Sequence, residues 1–496
     1  MSIQGLRQDL RARRTSVRDL VDVAIERIEQ FDRSGPKLNS IVAIAGSAQA
    51  RAEQLDTHLA STGELAGPLH GVTVVVKDCI ETVDMDTAFG MAILRGYRAR
   101  RDARVVKRLR DSGAVVLAKT TMPDLATSLF GQSSATGITK NPFCLDHDPG
   151  GSSSGSAVAV AAGIAHAALG TDNGGSIRAP ASFCGLVGVR STPGRISRSG
   201  TLPLVPLQDT VGPLTRSVAD AFTMFRALQG PDPDDPVSLP FAGPRLNLVE
   251  AEEANSRPLQ VGVLRELFGS QPAEPARHAR AALNALLESL GSSGADITDP
   301  VVTAGLEDQV AAASMFMLRT REALNRFFAE RPEMPVRSLD QLVQHPDFPE
   351  GQDVIKAMAA GPEYPELQPE YFRARTARDD LELRLLQVMG TADLDVLVFP
   401  TVRIPAPSRA DVDAGVVGSF DLAANTLVSS HSWMPAMTVP IGLTPEGLPI
   451  GCEILARRGD EKTLFRAGFA IERAAALHIL WDTLPGTASG NKGDAT

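Results

Sequence analysis

Apolar residues recur at helical spacing over Val17, Leu20, Val21, Ala24, Ile25 and Ile28, directly after Ser16 and with Asp19 placed to complete a capping box. That pattern predicts an amphipathic helix near the N-terminus. The period then changes. Residues 72–76 form a short apolar run of strand type, 102–111 return to helical spacing, and 114–118 are strand-like again. Strand, helix, strand is the pattern of a crossover unit, so an α/β sheet is expected. The alanine-rich stretch 156–169 is apolar nearly all round and predicts a buried helix. Beyond residue 258 the spacing predicts a strand over 259–264, a helix over 275–290 and a long helix over 306–330. Strands are expected at 394–399, 436–441 and 450–455, and a last helix over 462–475.

Between these elements lie two interruptions. Residues 230–258 shift to Pro, Asp and Gly and read as a surface connection, whereas the proline-rich stretch 332–369 is long enough to be an inserted lid or pocket wall. The chain shows no internal repeat. Because strands and helices alternate to the end, one large α/β domain is more economical than two. The expected division is an N-terminal helical region over 1–65 and a main α/β domain over 66–484. Its divergent part, 230–370, would shape the pocket, and the polar tail 485–496 is expected to be disordered.

Composition narrows the function classes. The 496 residues are 43% hydrophobic and 22% charged, ordinary for a soluble globular protein. With 49 Lys and Arg against 59 Asp and Glu, the net charge of −10 lacks the footprint of a nucleic-acid binder. The one basic stretch, 98–110, is interleaved with Val105, Val106 and Leu109 and reads as the solvated face of a helix. Four cysteines, none in a C-x-x-C pair, make no disulfide framework, and a reduced, cytoplasmic setting is expected. Cys144 and His147 form a C-x-x-H without a second ligand pair, so no metal is expected, and no cofactor. The first residues lack the basic and apolar regions of a signal peptide, and the longest apolar stretch, 157–169, is too short to span a bilayer.

Candidate chemistry lies in three segments. Gly174-Gly175-Ser176 offers a hydroxyl beside backbone N–H groups that no Cβ shields, the arrangement an attacking serine and an oxyanion need; a plain glycine turn is the alternative. Ser152-Ser153-Ser154, between Gly151 and Gly155, stands where an extended segment enters the predicted buried helix. One such hydroxyl would serve as a cap, and the others are free to relay a proton. Lys77 ends the apolar run 72–76. Buried there, its ammonium would be disfavoured and a neutral amine available as base; on an edge strand it would be an ordinary surface lysine.

Together these segments resemble the amidase signature family. The glycine–serine run from Gly150 to Ser156 and the block Gly170-Thr171-Asp172-Asn173-Gly174-Gly175-Ser176-Ile177-Arg178 match its motifs, with Lys77 lying 75 residues before Ser152 and Ser152 lying 24 before Ser176. Lys119-Thr120, Asn141-Pro142, Arg190, Asp209-Thr210-Val211-Gly212-Pro213, Val439-Pro440-Ile441-Gly442 and Gly447-Leu448-Pro449-Ile450-Gly451 match as well, so the resemblance covers about residues 15–475. It implies a single large domain with a mixed central β-sheet flanked by α-helices on both faces. It also implies Ser176 as nucleophile, Ser152 as a bridging serine on a cis peptide bond, and Lys77 as base. Asn173, Gly174, Gly175 and Ser176 would supply the oxyanion hole. The substrate is expected to be a small amide, and the resemblance is compatible with a homodimer. By the same resemblance the pocket is lined by 122–130 and 431–434, with Leu125, Ala126, Thr127, Leu129, Phe130 and Trp433 as binding residues.

Competing motifs carry less. Gly151 to Gly155 fits the G-x-S-x-G elbow of α/β-hydrolases, but no strand precedes it and no histidine follows in a matching context. Ser489 to Lys492 fits S-x-x-K only within the polar tail. The expected function is hydrolysis of an aryl or alkyl amide, an anilide or a related C–N bond. The second reading is the A-type component of a tRNA-dependent amidotransferase, which releases ammonia from glutamine to a partner protein.

Overall fold

Eleven strands form one mixed sheet that runs through the molecule. The structure, a computed structural model, describes residues 1–243, 246, 257–269, 274–477, 479, 481–485 and 487. Most of the tail expected to be disordered, and residues 244–245 and 247–256 of the surface connection, lie outside the described residues. In chain order the strands are β1 (Ile41–Ile44), β2 (Thr73–Lys77), β3 (Val115–Thr120), the small hairpin β4 (Gln132–Ser133) and β5 (Gly137–Ile138), β6 (Ala167–Asp172), β7 (Val187–Arg190), β8 (Thr210–Thr215), β9 (Gln260–Val263), β10 (Asp296–Thr298), β11 (Val396–Pro400), β12 (Ala436–Leu443) and β13 (Pro449–Ala456). Their order in the main sheet is β1-β3-β2-β6-β8-β7-β12-β13-β11-β9-β10, with β3, β2 and β6 parallel. Thr120, Lys77 and Asp172 are the last residues of those three strands and therefore share one edge of the sheet. Ligands of open α/β sheets gather at this edge, beyond the carboxyl ends of parallel strands.

The N-terminal pattern folds as its caps dictate. Ser16 Oγ accepts the Asp19 N–H and the Asp19 carboxylate accepts the Ser16 N–H, so the capping box starts the helix Val17–Arg27. The strands expected at 72–76, 114–118, 259–264, 394–399, 436–441 and 450–455 all form, within a few residues of those bounds.

Two expected helices differ. The helix expected over 156–169 is only Ser154–Ala161, and the rest of that apolar stretch is a turn at Gly163 followed by β6. A strand buried on both faces reads as an unbroken apolar run, which period alone does not separate from a buried helix. The long helix expected over 306–330 is two helices, Leu306–Ala312 and Phe316–Ala329, with Ser314 in the break. The proline-rich interruption carries the short helices Leu339–Val343 and Asp353–Ala359.

The helix Ser154–Ala161 is buried along its whole length and packs on β2, β3, β6 and β8. It lies so close to the chain around β3 that a Cβ on Gly155 would fall 2.3 Å from the Ser40 carbonyl oxygen and 2.5 Å from the Thr121 nitrogen. Ser156 Oγ, one residue on, lies 2.8 Å from Thr120 Oγ1. The helix start is thereby held against the strand ends. Gly155→Ala is expected to lower stability by about 1–3 kcal/mol, the range for overpacking a filled core. A denaturant titration checks it; an unshifted midpoint would show that the backbone contact gives way freely.

Candidate active site

Lys77 is fully buried. Its Nζ lies 2.7 Å from Ser152 Oγ and 2.9 Å from Thr171 Oγ1. Burial pulls its pKa down from 10.5 to about 8, against smaller upward pulls from Cys79, Asp172 and Asp209. Neither Cys79 nor Asp172 is a bonded partner of the amine, so desolvation decides. A second buried lysine, Lys119, is spent elsewhere: it donates to the Ile80 carbonyl and to Thr87 Oγ1.

Ser152 is reached from Gly151 through a cis peptide bond. Gly151 stands against the chain of residues 129–130, where a Cβ would lie 2.9 Å from the Phe130 carbonyl oxygen. The neighbouring Ser153 N–H donates to the Ser176 carbonyl at 3.1 Å, so the serine-rich loop and the Ser176 loop are tied directly together. The structure thus brings Lys77, Ser152 and the Ser176 segment into one place from three separate parts of the chain.

The Ser176 loop is built around Asp172. Its carboxylate accepts the Gly175 N–H at 2.9 Å and the Ile177 N–H at 3.1 Å, and bonds Arg178 through Nε and Nη2 and Arg190 through Nη1. Burial by itself would raise the Asp172 pKa; the two guanidinium groups and the backbone donors reverse this and hold it well below the usual carboxylate range. Arg178 continues to Glu453 on β13 and to Ser429 and Ser430. Ser176 itself is 6% exposed.

These bonds correct one expectation. The motif places Gly175 among the donors to the oxyanion, but its N–H is committed to Asp172 and it does not line the cavity, whereas Asn173, Gly174 and Ser176 do. Its φ of +122° and the 2.2 Å that would separate a Cβ from Thr426 Oγ1 explain the glycine: it carries the turn. Gln208 secures the same loop from behind. Its Nε2 donates to the Asn173 carbonyl at 2.6 Å, and its Oε1 accepts from the buried Arg378. Asn173 Nδ2 in turn donates to Asp209 at 2.7 Å.

A cavity of about 100 Å³ opens at Ser176. Of the expected binding residues, Ala126, Thr127 and Leu129 line it. Phe130 lines a neighbouring groove instead. Leu125 is wholly buried and does not line the cavity. Trp433 is absent from the lining; its ring sits among Arg375, Arg378 and Arg458, with guanidinium carbons 5.4–6.0 Å from the ring centre. Sequence reasoning missed Leu204, Gln208, Ser314, Phe316, Ser419, Phe420, Ala423 and Leu427, which also line it. The only available signal was Gln208, directly before the Asp209 motif. His431 also reaches the cavity; burial, with Arg378 nearby, drops its pKa to about 3, so the ring is neutral. The carbonyl of Val310, 2.7 Å from Nδ1, is only an acceptor, so Nδ1 carries the proton.

Among the described residues no group of three or more His, Cys, Asp or Glu could hold a metal ion, and no helix is long and apolar enough to cross a membrane.

Comparison with known proteins gives the family. One relative is the A-type chain of the glutamyl-tRNA(Gln) amidotransferase from Geobacillus kaustophilus (strain HTA426). The two are 31% identical over 490 residues, covering 96% of this chain and 98% of that protein. Among solved structures, the peptide amidase of Stenotrophomonas maltophilia superposes with a TM-score of 0.83 at 29% identity, covering 97% of this chain and 98% of that one. The corresponding A-type chain of the Thermotoga maritima glutamyl-tRNA(Gln) amidotransferase superposes with a TM-score of 0.71 at 25% identity, covering 92% and 91%. The Amidase family model matches residues 19–465. With a match across nearly its whole length, this chain belongs to the amidase signature family and is a hydrolase of C–N amide bonds.

Proposed function

We propose that the protein hydrolyses a carboxylic amide through an acyl-enzyme on Ser176, with Ser152 and Lys77 as its proton relay. The observation that carries this reading is the 2.7 Å contact between Ser152 and a fully buried lysine whose pKa burial has lowered to about 8. A neutral amine accepts the Ser152 proton; Ser152 accepts that of Ser176, and Ser176 Oγ attacks the acyl carbon. The N–H groups of Asn173, Gly174 and Ser176, residues that line the cavity, would receive the developing oxyanion. The relay then reverses. Lys77 returns its proton through Ser152 to the leaving nitrogen, the C–N bond breaks, and water cleaves the ester by the same route. Thr171, the second partner of Lys77, keeps the amine aimed at Ser152. The four unpaired cysteines fit a reducing, cytoplasmic setting.

A second reading has one observation in its favour: full-length relatives carry the name of an amidotransferase component. There the same relay would release ammonia from glutamine to a partner protein. The closer superposition on a peptide amidase, 0.83 against 0.71, favours the stand-alone enzyme. Purification of the tagged protein from its native cells decides between them: a single species active on amides supports the first reading, and a stoichiometric second protein with glutaminase activity supports the other.

Mutation and pH test the relay. Ser176→Ala is expected to lower kcat by about 10⁴–10⁶-fold, the loss seen when a catalytic serine is removed. Lys77→Ala is expected to cost about 10²–10⁴-fold while circular dichroism stays unchanged; near-normal turnover in Lys77→Ala would refute its assignment as base. Because the working form of Lys77 is the unprotonated amine, kcat/KM is expected to be level above about pH 8 and to fall toward tenfold per unit below it. A rate that climbs on acidification would sink the neutral-amine mechanism.

A further inference from the structure

His431 ends the short helix Leu427–His431, which is tied to the Ser176 loop. Thr426 Oγ1, just before that helix, donates to the Gly174 carbonyl at 2.6 Å, and a Cβ on Gly174 would lie 3.1 Å from Leu427 Cδ2. Leu427 and His431 are four residues apart and so share one face of the helix. Both line the cavity at Ser176.

The His431 residue is 2% exposed, and its ring is anchored at one nitrogen only. Nδ1–H donates at 2.7 Å to the Val310 carbonyl, which belongs to the last turn of the helix Leu306–Ala312. Carbonyls of a last turn are left open by their own helix, so this bond serves both partners. Nε2 has no hydrogen-bond partner among the described residues. Because the ring is neutral and its one proton sits on Nδ1, Nε2 presents a lone pair.

Other polar side chains around the cavity are committed or adaptable. Gln208 is held through both ends of its amide, and Asn173 Nδ2 is bonded to Asp209. Ser128 and Ser419 accept the Phe130 and Leu129 N–H groups, and each keeps a hydroxyl proton that can turn toward a ligand. An imidazole lone pair has no such choice: it only accepts. Leu204, Phe316 and Leu427 beside it offer no proton. A ligand that fills the cavity must therefore bring a donor to Nε2 or leave a buried acceptor unpaired, which is costly.

We infer that His431 is a specificity-determining residue whose Nε2 accepts a hydrogen bond from an O–H or N–H group on the part of the substrate that fills the cavity. The substrate class is thereby narrowed to amides that carry such a donor beyond the scissile bond. The inference rests on the reading of Ser176 as the nucleophile, which places the substrate in this cavity.

Matched amides test this with the full-length protein. At successive positions along a short acyl chain, and separately along a short N-alkyl group, three members differ only in bearing O–H, F or CH3. Fluorine controls for electron withdrawal and methyl for size; neither donates. At one or more positions the hydroxy member is expected to exceed both others by about tenfold or more in kcat/KM, because the analogues leave the acceptor unpaired. His431→Phe, which fills similar space without an acceptor, is expected to bring the three together. Absence of a hydroxy preference at every position overturns the inference. So does a loss in His431→Phe that falls equally on all three members, the mark of a merely structural role. Should His431→Phe fail to fold, binding to Ser176→Ala decides. The hydroxy member is expected to bind more tightly than the others and alone to move the nitrogen-15 resonance of His431 Nε2; an unmoved resonance overturns the inference. Ser176→Ala protein that still turns over the amides overturns the underlying reading instead.

Discussion

Asp172 is the constraint on which the site depends. It ends β6, and its one carboxylate fixes the turn at Gly175, the entry to the helix Arg178–Phe183, and the guanidinium of Arg190 on β7. Through Arg178 the bonding continues to Glu453 on β13 and to Ser429 and Ser430, so strands far apart in the sequence are clamped around one loop. All of these charged groups are fully buried. Removing one partner from such a set leaves an uncompensated charge in the interior, which costs about 3–5 kcal/mol. The carboxylate is kept ionised by its two arginines, so it works as a brace, not as an acid.

A contrast follows between two ionisable groups that end neighbouring strands of the sheet. Asp172 is buried with partners of opposite charge, and its charged form wins. Lys77 is buried with hydroxyls, and its charged form loses ground. The same low-dielectric interior yields a permanent anion in one place and an amine that gives up its proton far more readily than usual in the other, because hydroxyl partners do not repay an ammonium for its lost water as guanidinium groups repay a carboxylate. A carboxylate bonded to Lys77 would raise the amine's pKa again.

Much of this was legible in the sequence, and the failures have physical causes. The capping box at Ser16 and Asp19, the β-rich apolar runs and the glycine–serine segments all act locally, so local pattern found them. The split of 156–169 into helix, turn and strand was not legible, because alanine and leucine buried on every side show no period. The commitment of Gly175 to Asp172 is a contact three residues back that motif spacing does not reveal. The pocket was least legible of all: Leu204 comes from a loop, Phe316 from the start of the helix Phe316–Ala329 and Phe420 from the short helix Ser419–Ala423, and only tertiary packing brings them together. Trp433 misled for the opposite reason. A large aromatic near the motif is a natural pocket residue, yet three arginines occupy its surroundings.

The divergent segment does more than wall the cavity. Arg331, just after the helix Phe316–Ala329, pairs with Glu81 in the loop that follows Lys77, through Nε at 2.6 Å and Nη2 at 3.1 Å. Just beyond that segment, Arg378 of the helix Pro369–Thr391 bonds Gln208, which in turn holds the Asn173 carbonyl. The first link reaches the strand that carries the amine; the second reaches the loop that carries Ser176. Residues that shape the pocket and residues that position the relay are therefore parts of one bonded frame. Substitutions in the divergent segment that alter substrate choice should accordingly be felt in turnover, because no slack separates the pocket wall from the reacting groups.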